Sequence, residues 1–157
     1  MTPVPGTAYQ STISLFMGHL MNHIQFAGLG RVFTAPYDVE LTPHNIVQPD
    51  IIVVLNVHKK IITPRRIVGV PNLLIEILSP GTTTHDRHKK YVIYTRFSVP
   101  EYWIEDSIGK TIEVFTHATI SGNYRLLGVF AGETSVPSLV LPTLPVTVAQ
   151  CFPTDIE

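Results

Sequence analysis

The residues best suited to chemistry in this chain are two carboxylates set beside or within apolar runs. Glu76 interrupts the run Leu73–Leu78, whose aliphatic residues over a short length predict a buried strand. Because side chains alternate along a strand, Glu76 shares one face with Leu74 and Leu78. A bare carboxylate there would cost several kcal/mol or take up a proton, so it requires a Lys, an Arg or a metal ion nearby.

The second carboxylate, Asp50, precedes another apolar run, Ile51–Leu55. Two acids at strand ends with a lysine within reach are the usual arrangement for metal-assisted phosphodiester hydrolysis, because carboxylates from separate strands can hold one divalent cation. A plainer interpretation stays open for both acids. Glu76 would form a buried ion pair with Lys90 or Arg96, and Asp50 would accept backbone N–H groups at the start of its strand.

Lys90 is the candidate lysine for this site. Asp86, Lys90 and Tyr94 are spaced by four residues and therefore share one face of a helix predicted after Glu76. The turn at 79–83 reverses the chain, so that face can pack back on the strand that carries Glu76. Tyr94 is interpreted as an aromatic residue at the edge of the core with its hydroxyl satisfied.

The elements around these residues follow from periodicity and turn signals. A helix is predicted over 8–28, where apolar residues recur every three or four positions, with Gly28 and Gly30 at its end. Residues 32–41 alternate loosely. Further elements are predicted in order: a strand at 50–56, an exposed loop at 57–70, a strand at 72–78, a helix from near Thr83 to Phe97, a meander of strands at 101–106, 110–117 and 123–130, and an apolar tail at 136–152 that wraps back.

The order helix, strands, helix, strands predicts a mixed α+β (α/β) domain whose central mixed sheet is flanked by helices. At 157 residues the chain suits a single domain over 1–157. Its one cysteine, Cys151, excludes a disulfide framework, and no secretory signal or membrane span is visible, which favours the cytoplasm. The net charge of −1 argues against a strong non-specific nucleic-acid binder but leaves room for a local basic cleft.

Four blocks of the sequence occur together in a fixed order. They are Gln48-Pro49-Asp50, the run from Pro71 to Pro80 around Glu76, the spaced residues Asp86, Lys90 and Tyr94, and Val99-Pro100-Glu101-Tyr102-Trp103-Ile104 followed by Asp106. Together these blocks resemble the Uma-two family of restriction-endonuclease-like proteins, a bacterial family abundant in cyanobacteria. The resemblance extends from about Thr2 to Phe152.

This resemblance implies a restriction-endonuclease-like core of the PD-(D/E)xK superfamily, acting as a nuclease with Mg²⁺ or Mn²⁺ on nucleic acid, taken as DNA. It assigns catalysis to Asp50, Glu76 and Lys90, and metal binding to Asp50, Glu76 and the backbone carbonyl of Ile77. The lysine is conventionally two residues beyond the glutamate. Here that position is Leu78, so the resemblance moves the role to Lys90.

Two groups of basic residues are candidates for contact with the nucleic-acid backbone, although each could also be a solvated surface. They are Lys59, Lys60, Arg65 and Arg66 in the predicted loop, and Arg87 and Lys89 in the second helix.

Two alternatives to a nuclease remain. One is a catalytically silent interaction module on the same scaffold, since the lysine is displaced and the first helix has no Asp or Glu. The other is a homodimer formed through exposed apolar residues of the first helix. Family members begin with an additional hairpin before that helix, which would otherwise cover it.

Overall fold

The computed structural model describes residues 6–79, 81–82, 84–117 and 124–154. The first helix, α1, spans Thr7–Leu20 and continues into a π-helical turn, Met21–Gln25. Its apolar stripe is buried at Phe16, Leu20 and Ile24, as the three- and four-residue spacing predicts. The helix ends a few residues before the predicted boundary. Gly28 then adopts a positive φ of 77°, a conformation that glycine adopts without steric cost.

Within the described residues, nine strands and a second α-helix follow. They are β1 (Gly30–Thr34), β2 (Val39–Thr42), β3 (Asn45–Val47), β4 (Ile51–Leu55), β5 (Ile67–Val68), β6 (Leu73–Leu78), α2 (Thr84–Arg96), β7 (Glu101–Asp106), β8 (Thr111–His117) and β9 (Tyr124–Ala131). Among the described residues, six strands form the main sheet in the order β1-β4-β6-β7-β8-β9, and three form a smaller sheet in the order β3-β2-β5. In the main sheet β6 and β7 are parallel and the other neighbours are antiparallel, so the predicted mixed sheet is confirmed.

The two faces of the main sheet carry separate cores, because successive strand residues point to opposite sides. One face packs against α1 and the C-terminal segment, with Ile75, Trp103 and Phe152 among its buried residues. The other face packs against α2 and the smaller sheet, with Leu74 and Tyr94 among its buried residues. The prediction that the apolar tail wraps back onto the body is confirmed.

The predicted elements differ from the structure mainly in the first half of the chain. The stretch 57–70, predicted as a loop, contains most of a 3₁₀ helix, Asn56–Ile61, and the short strand β5. The alternating stretch 32–41 is divided between β1 and β2. The predicted helix start at Thr83 lies outside the described residues, and so does the first residue of the strand predicted at 123–130. The described residues include no helix whose length and apolar character would let it cross a membrane.

Candidate active site

The antiparallel pairing of β4 with β6 brings the two predicted acids together. Ile51 pairs with Ile75, so one further step of the same register places Asp50 opposite Glu76. Residues directly opposite each other in an antiparallel pair point to the same face, with Cβ atoms roughly 5 Å apart. The Asp50 carboxylate is fixed at this point because its Oδ2 accepts a 2.8 Å hydrogen bond from the Ile77 amide. The two acids, far apart in sequence, therefore share one site.

Glu76 is buried, and both of its carboxylate oxygens have donors from α2. Its side chain is only 6% exposed; Oε1 accepts a 2.7 Å hydrogen bond from the Tyr94 hydroxyl, and Oε2 accepts one of 2.9 Å from the Lys90 ammonium. The four-residue spacing of Lys90 and Tyr94 puts them on one helix face, as predicted. The Lys90 side chain is 44% exposed, so the pair connects the buried carboxylate with solvent.

Burial is the main influence on the protonation of Glu76. Burial and the neighbouring charge of Asp50 raise the pKa of Glu76 to about 7, although Lys90 and the Tyr94 hydrogen bond favour the charged form. For Lys90, burial lowers the pKa, but the Glu76 carboxylate outweighs that effect and raises it above the usual value for lysine. The ammonium therefore stays charged, while Glu76 changes its protonation near neutral pH.

Asp50 also has a donor on each oxygen, and one of these donors comes from a residue that the sequence did not single out. The Tyr9 hydroxyl, in the first turns of α1, donates a 2.6 Å hydrogen bond to Asp50 Oδ1. Burial and this bond to Asp50 raise the pKa of Tyr9, so the phenol keeps its proton. The sequence did carry a signal, since Tyr9 continues the apolar stripe of Ile13 and Phe16 and is the member with a polar end.

The chemistry of the donor set suits a hard divalent cation. Asp50 and Glu76 offer carboxylate oxygens, and a backbone carbonyl such as that of Ile77 is also a ligand type that Mg²⁺ and Mn²⁺ accept. No group of three or more His, Cys, Asp or Glu side chains arranged to hold a metal occurs in the described part of the chain. A cation here would therefore keep several water ligands, which is typical of Mg²⁺.

The predicted nucleic-acid contacts divide between the two ends of the sheet. Arg87 and Lys89 lie on α2, which begins just beyond the Glu76 strand; Arg87 pairs with Glu113 at 2.9 Å, and Lys89 is exposed. Lys59 and Lys60 are exposed on the 3₁₀ helix that follows the opposite end of β4, about 17 Å along the strand from Asp50 at 3.3 Å per residue.

Arg65 and Arg66 lead into β5, and Asp38, which pairs with Arg66, accepts a 2.7 Å hydrogen bond from Gln48, two residues before Asp50. Arg65 is exposed and Arg66 lies 3.8 Å from Asp38. The structure thus places Arg87 and Lys89 on the helix that carries Lys90, and Lys59 and Lys60 at the far end of β4. Their contact with nucleic acid stays a prediction, as does a homodimer through α1, on which Leu15 is 37% exposed.

The fold of this protein also occurs among solved structures. The chain is similar to a crystal structure described as a putative nuclease belonging to DUF820 from Anabaena variabilis ATCC 29413, with a TM-score of 0.72 and 19% sequence identity. The similarity covers 97% of this chain and 84% of the other. At this identity the comparison establishes the shared fold.

Residues 1–149 match the model of the Uma2 family, whose description is putative restriction endonuclease. The chain therefore belongs to the Uma2 family. A comparison with curated proteins finds no match.

Proposed function

We propose that this protein is a nuclease that uses Mg²⁺ or Mn²⁺ to hydrolyse phosphodiester bonds of nucleic acid. The observation that carries the proposal is the meeting of Asp50 and Glu76 on one face of the β4–β6 pair, with the Lys90 ammonium 2.9 Å from Glu76. A charged amine beside two carboxylates at the end of a sheet combines cation binding with stabilisation of negative charge. Membership of the Uma2 family is consistent with this activity.

The two acids and the lysine have different roles in the proposed reaction. Asp50 and Glu76 would hold the cation, which when bound would supply an activated water and shield charge on the phosphate. Lys90 orients its ammonium towards the same space and offsets the negative charge that develops on the phosphorus oxygens. Because the Lys90 side chain is partly exposed, it can reach a substrate phosphate without disturbing the core.

The substrate contacts would come first from the second helix. Arg87 and Lys89 are positioned on the element that carries Lys90, so a phosphate backbone at the acid pair would pass within reach of them. The chain carries a net charge of −1, so binding would depend on this local group rather than on the total charge.

Cleavage of mixed nucleic-acid substrates in Mn²⁺ tests the proposal directly. Wild type should cleave, whereas Asp50→Ala and Glu76→Ala should lose the activity, and removal of the cation by a chelator should stop it. Equal cleavage by all three proteins would contradict the proposal, because it would come from another site or from a contaminating nuclease.

A catalytically silent module is the second candidate, and one observation favours it. Both oxygens of Glu76 and both of Asp50 already have donors from the protein itself. Thermal unfolding separates the two candidates. A competent site should gain stability from Mn²⁺ by mass action, about 2.7 kcal/mol at a hundred times the dissociation constant. A silent module should gain none.

A further inference from the structure

The end of the main sheet opposite the acid pair is built from segments that are distant in the chain. Leu55 ends β4 and pairs with Gly30, the first residue of β1, so the turn before β1 lies beside the 3₁₀ helix Asn56–Ile61. A 3.1 Å hydrogen bond from the Asn56 amide to the Leu29 carbonyl joins the two segments. They therefore form one continuous surface.

A third segment, residues 139–145, is attached to the same end of the sheet. Strand β6 is antiparallel to β4, so its first residue, Leu73, lies near the end of β4 and pairs with Glu101 on β7. The buried Glu101 carboxylate accepts hydrogen bonds of 3.0 and 2.9 Å from the amides of Leu139 and Val140. Residues 26–29, 56–60 and 139–145 together form the far-end surface.

Large apolar side chains are concentrated on the far-end surface. Phe26 is 74% exposed, Leu29 51%, Val57 79% and Leu139 71%. These are four of the six most exposed large apolar side chains in the part of the chain that the structure describes. Single exposed apolar residues are ordinary, whereas a group of them marks an interaction site.

An open cavity of about 330 Å³ lies at the far-end surface. Its described walls are His23, Ile24, Leu29, Leu55 and residues 140–145, which are mainly aliphatic and proline side chains. A cavity of this size and character can take one bulky apolar side chain. Its described walls contain no Phe, Tyr or Trp on which a nucleic-acid base could stack, and a flat membrane surface would leave the cavity unfilled.

The charge beside this cavity has one sign. Lys59 and Lys60 are exposed, and so is Arg31 at the start of β1. Lys59 and Lys60 follow Leu55, a wall of the cavity, at a distance of about 8–10 Å along a 3₁₀ helix. The segments that form this end of the molecule contain no Asp or Glu over residues 22–31, 56–61 and 139–145. A complementary partner therefore carries negative charge close to the group that enters the cavity.

We propose that the far-end surface binds an acidic peptide segment of a partner protein. One bulky apolar side chain of the segment fills the cavity, and its carboxylates contact Lys59 and Lys60. An extended peptide advances about 3.3 Å per residue, so the carboxylates lie roughly two or three residues from the apolar anchor. The acid pair is at the opposite end of the sheet, so this partner and a nucleic acid can be bound at the same time.

The test uses a synthetic peptide as the probe. The Leu probe is a fluorescently labelled nonapeptide with a central leucine flanked by glutamate and serine residues, and its binding to the full chain is measured by fluorescence anisotropy. A Ser probe has serine in place of the central leucine, and a Lys probe has lysine in place of every glutamate. These two probes separate the contribution of the apolar anchor from that of the charge.

Variants of the protein test the same two contributions. Leu29→Ser changes the cavity, and Lys59→Glu combined with Lys60→Glu reverses the neighbouring charge. Ile108→Ser and Lys110→Glu are the matched controls, because both residues are exposed in the turn between β7 and β8 at the other end of the sheet. Thermal unfolding checks that each variant still folds.

The Leu probe should bind wild type, the Ser probe should bind about tenfold more weakly, and the Lys probe should not bind. Leu29→Ser should weaken binding of the Leu probe about tenfold. The double lysine variant should do the same at low salt, and its difference from wild type should shrink at high salt because salt screens exposed charges. Both control variants should bind the Leu probe as wild type does.

Failure of the Leu probe to bind wild type would overturn the proposal, and so would equal binding by wild type and the Leu29 and lysine variants. A single-stranded oligonucleotide and phosphatidylserine vesicles are tested with the same proteins. If either one, in place of the peptide, binds wild type and is lost in these variants, the surface belongs to nucleic acid or to a membrane. A homodimer that dissociates in Leu29→Ser, measured by light scattering, would assign the surface to a second copy of the chain.

Discussion

Glu76 and Glu105 are buried glutamates on adjacent strands, but they differ in the hydrogen-bond partners of their carboxylates. Glu76 on β6 has a lysine and a tyrosine as partners. Glu105 on β7 is 0% exposed, and neither of its carboxylate oxygens has a hydrogen-bond partner in the part of the chain that the structure describes. Burial, together with the charge of Asp50, raises the pKa of Glu105 well above its usual value, which favours the neutral form of this acid.

A third buried glutamate shows that donors, rather than a cation, are enough to satisfy a carboxylate. Glu101 is also 0% exposed, and it accepts hydrogen bonds from the Trp103 indole at 2.7 Å and from the amides of Leu139 and Val140 at 3.0 and 2.9 Å. These bonds attach the C-terminal segment to the sheet. Of the three, only Glu76 combines burial with a charged partner that reaches solvent, which is the combination typical of active sites.

The largest expected effect is the difference in cleavage rate between a Glu76 variant and a Glu105 variant. Glu76→Gln should lower the cleavage rate by at least about a hundredfold, the scale on which loss of one preorganised electrostatic contact changes a rate. Glu105→Gln should leave the rate unchanged, because its side chain lies on the opposite face of the sheet. Single-turnover cleavage in Mn²⁺ measures both, and comparable losses in the two variants would mean that burial alone matters.

The next largest expected effect is a gain in stability, whereas the previous one is a loss of activity. Glu105→Leu should raise the free energy of unfolding by about 1–3 kcal/mol, because it removes an unsatisfied buried polar group. The gain should increase as the pH rises above the pKa of a glutamate in the unfolded chain. The pKa of Glu105 is higher in the folded than in the unfolded state, so the native protein loses stability as pH rises above the unfolded value. Urea unfolding at several pH values measures this.

Glu105→Gln is the control for that measurement. Glutamine, like leucine, cannot ionise, so its stability relative to wild type should rise with pH by the same amount. Its buried amide is still a polar group to be desolvated, so the gain should be smaller than that of Glu105→Leu at every pH. A destabilised Glu105→Leu protein would show that the acid has a stabilising role that the structure does not account for.

Breaking the ion pair between Lys90 and Glu76 should change the free energy of unfolding by less than Glu105→Leu does. It should lower this free energy, and only at high pH. Lys90→Met should destabilise the protein by about 1–2 kcal/mol at pH 8, below the cost of breaking a fully buried pair, because solvent screens the lysine. The pKa of Glu76 is already raised to about 7, and loss of the ammonium raises it further. At pH 5 the carboxyl is neutral, so the two proteins should converge.

Lys89→Met is the matched control, since Lys89 is the exposed neighbour of Lys90 on the same helix. It should unfold like wild type at both pH values in the same urea titration. A pH-independent loss in Lys90→Met would argue against the ionised Glu76 carboxylate as the partner through which Lys90 stabilises the protein.

The smallest expected effect is a difference in nucleic-acid binding between basic residues at the two ends of the sheet. Arg87→Gln should lower the salt dependence of nucleic-acid binding by about one unit in the log–log slope, as expected when one phosphate contact is lost. Its effect on stability should stay below about 1 kcal/mol, because the Arg87–Glu113 pair is partly exposed. Lys59→Gln, at the far end of β4, should change the slope less. Equal changes would mean that the substrate spans both ends.

The sequence by itself determined the elements that carry the site. The apolar runs around Glu76 and after Asp50 fold as β6 and β4, and the four-residue spacing of Lys90 and Tyr94 places both against Glu76. These features depend on the periodicity of a strand or a helix, which local sequence expresses directly. The apolar stripe of α1 was predictable for the same reason.

Only the tertiary structure decided which distant residues meet. The register of β4 against β6 sets Asp50 opposite Glu76, and the docking of α1 brings the Tyr9 hydroxyl to Asp50. The same packing gives Glu105 no hydrogen-bond donor among the described residues and places Lys59 at the far end of the sheet. Register and docking are set by contacts between elements far apart in the chain, so no local pattern in the sequence specifies them.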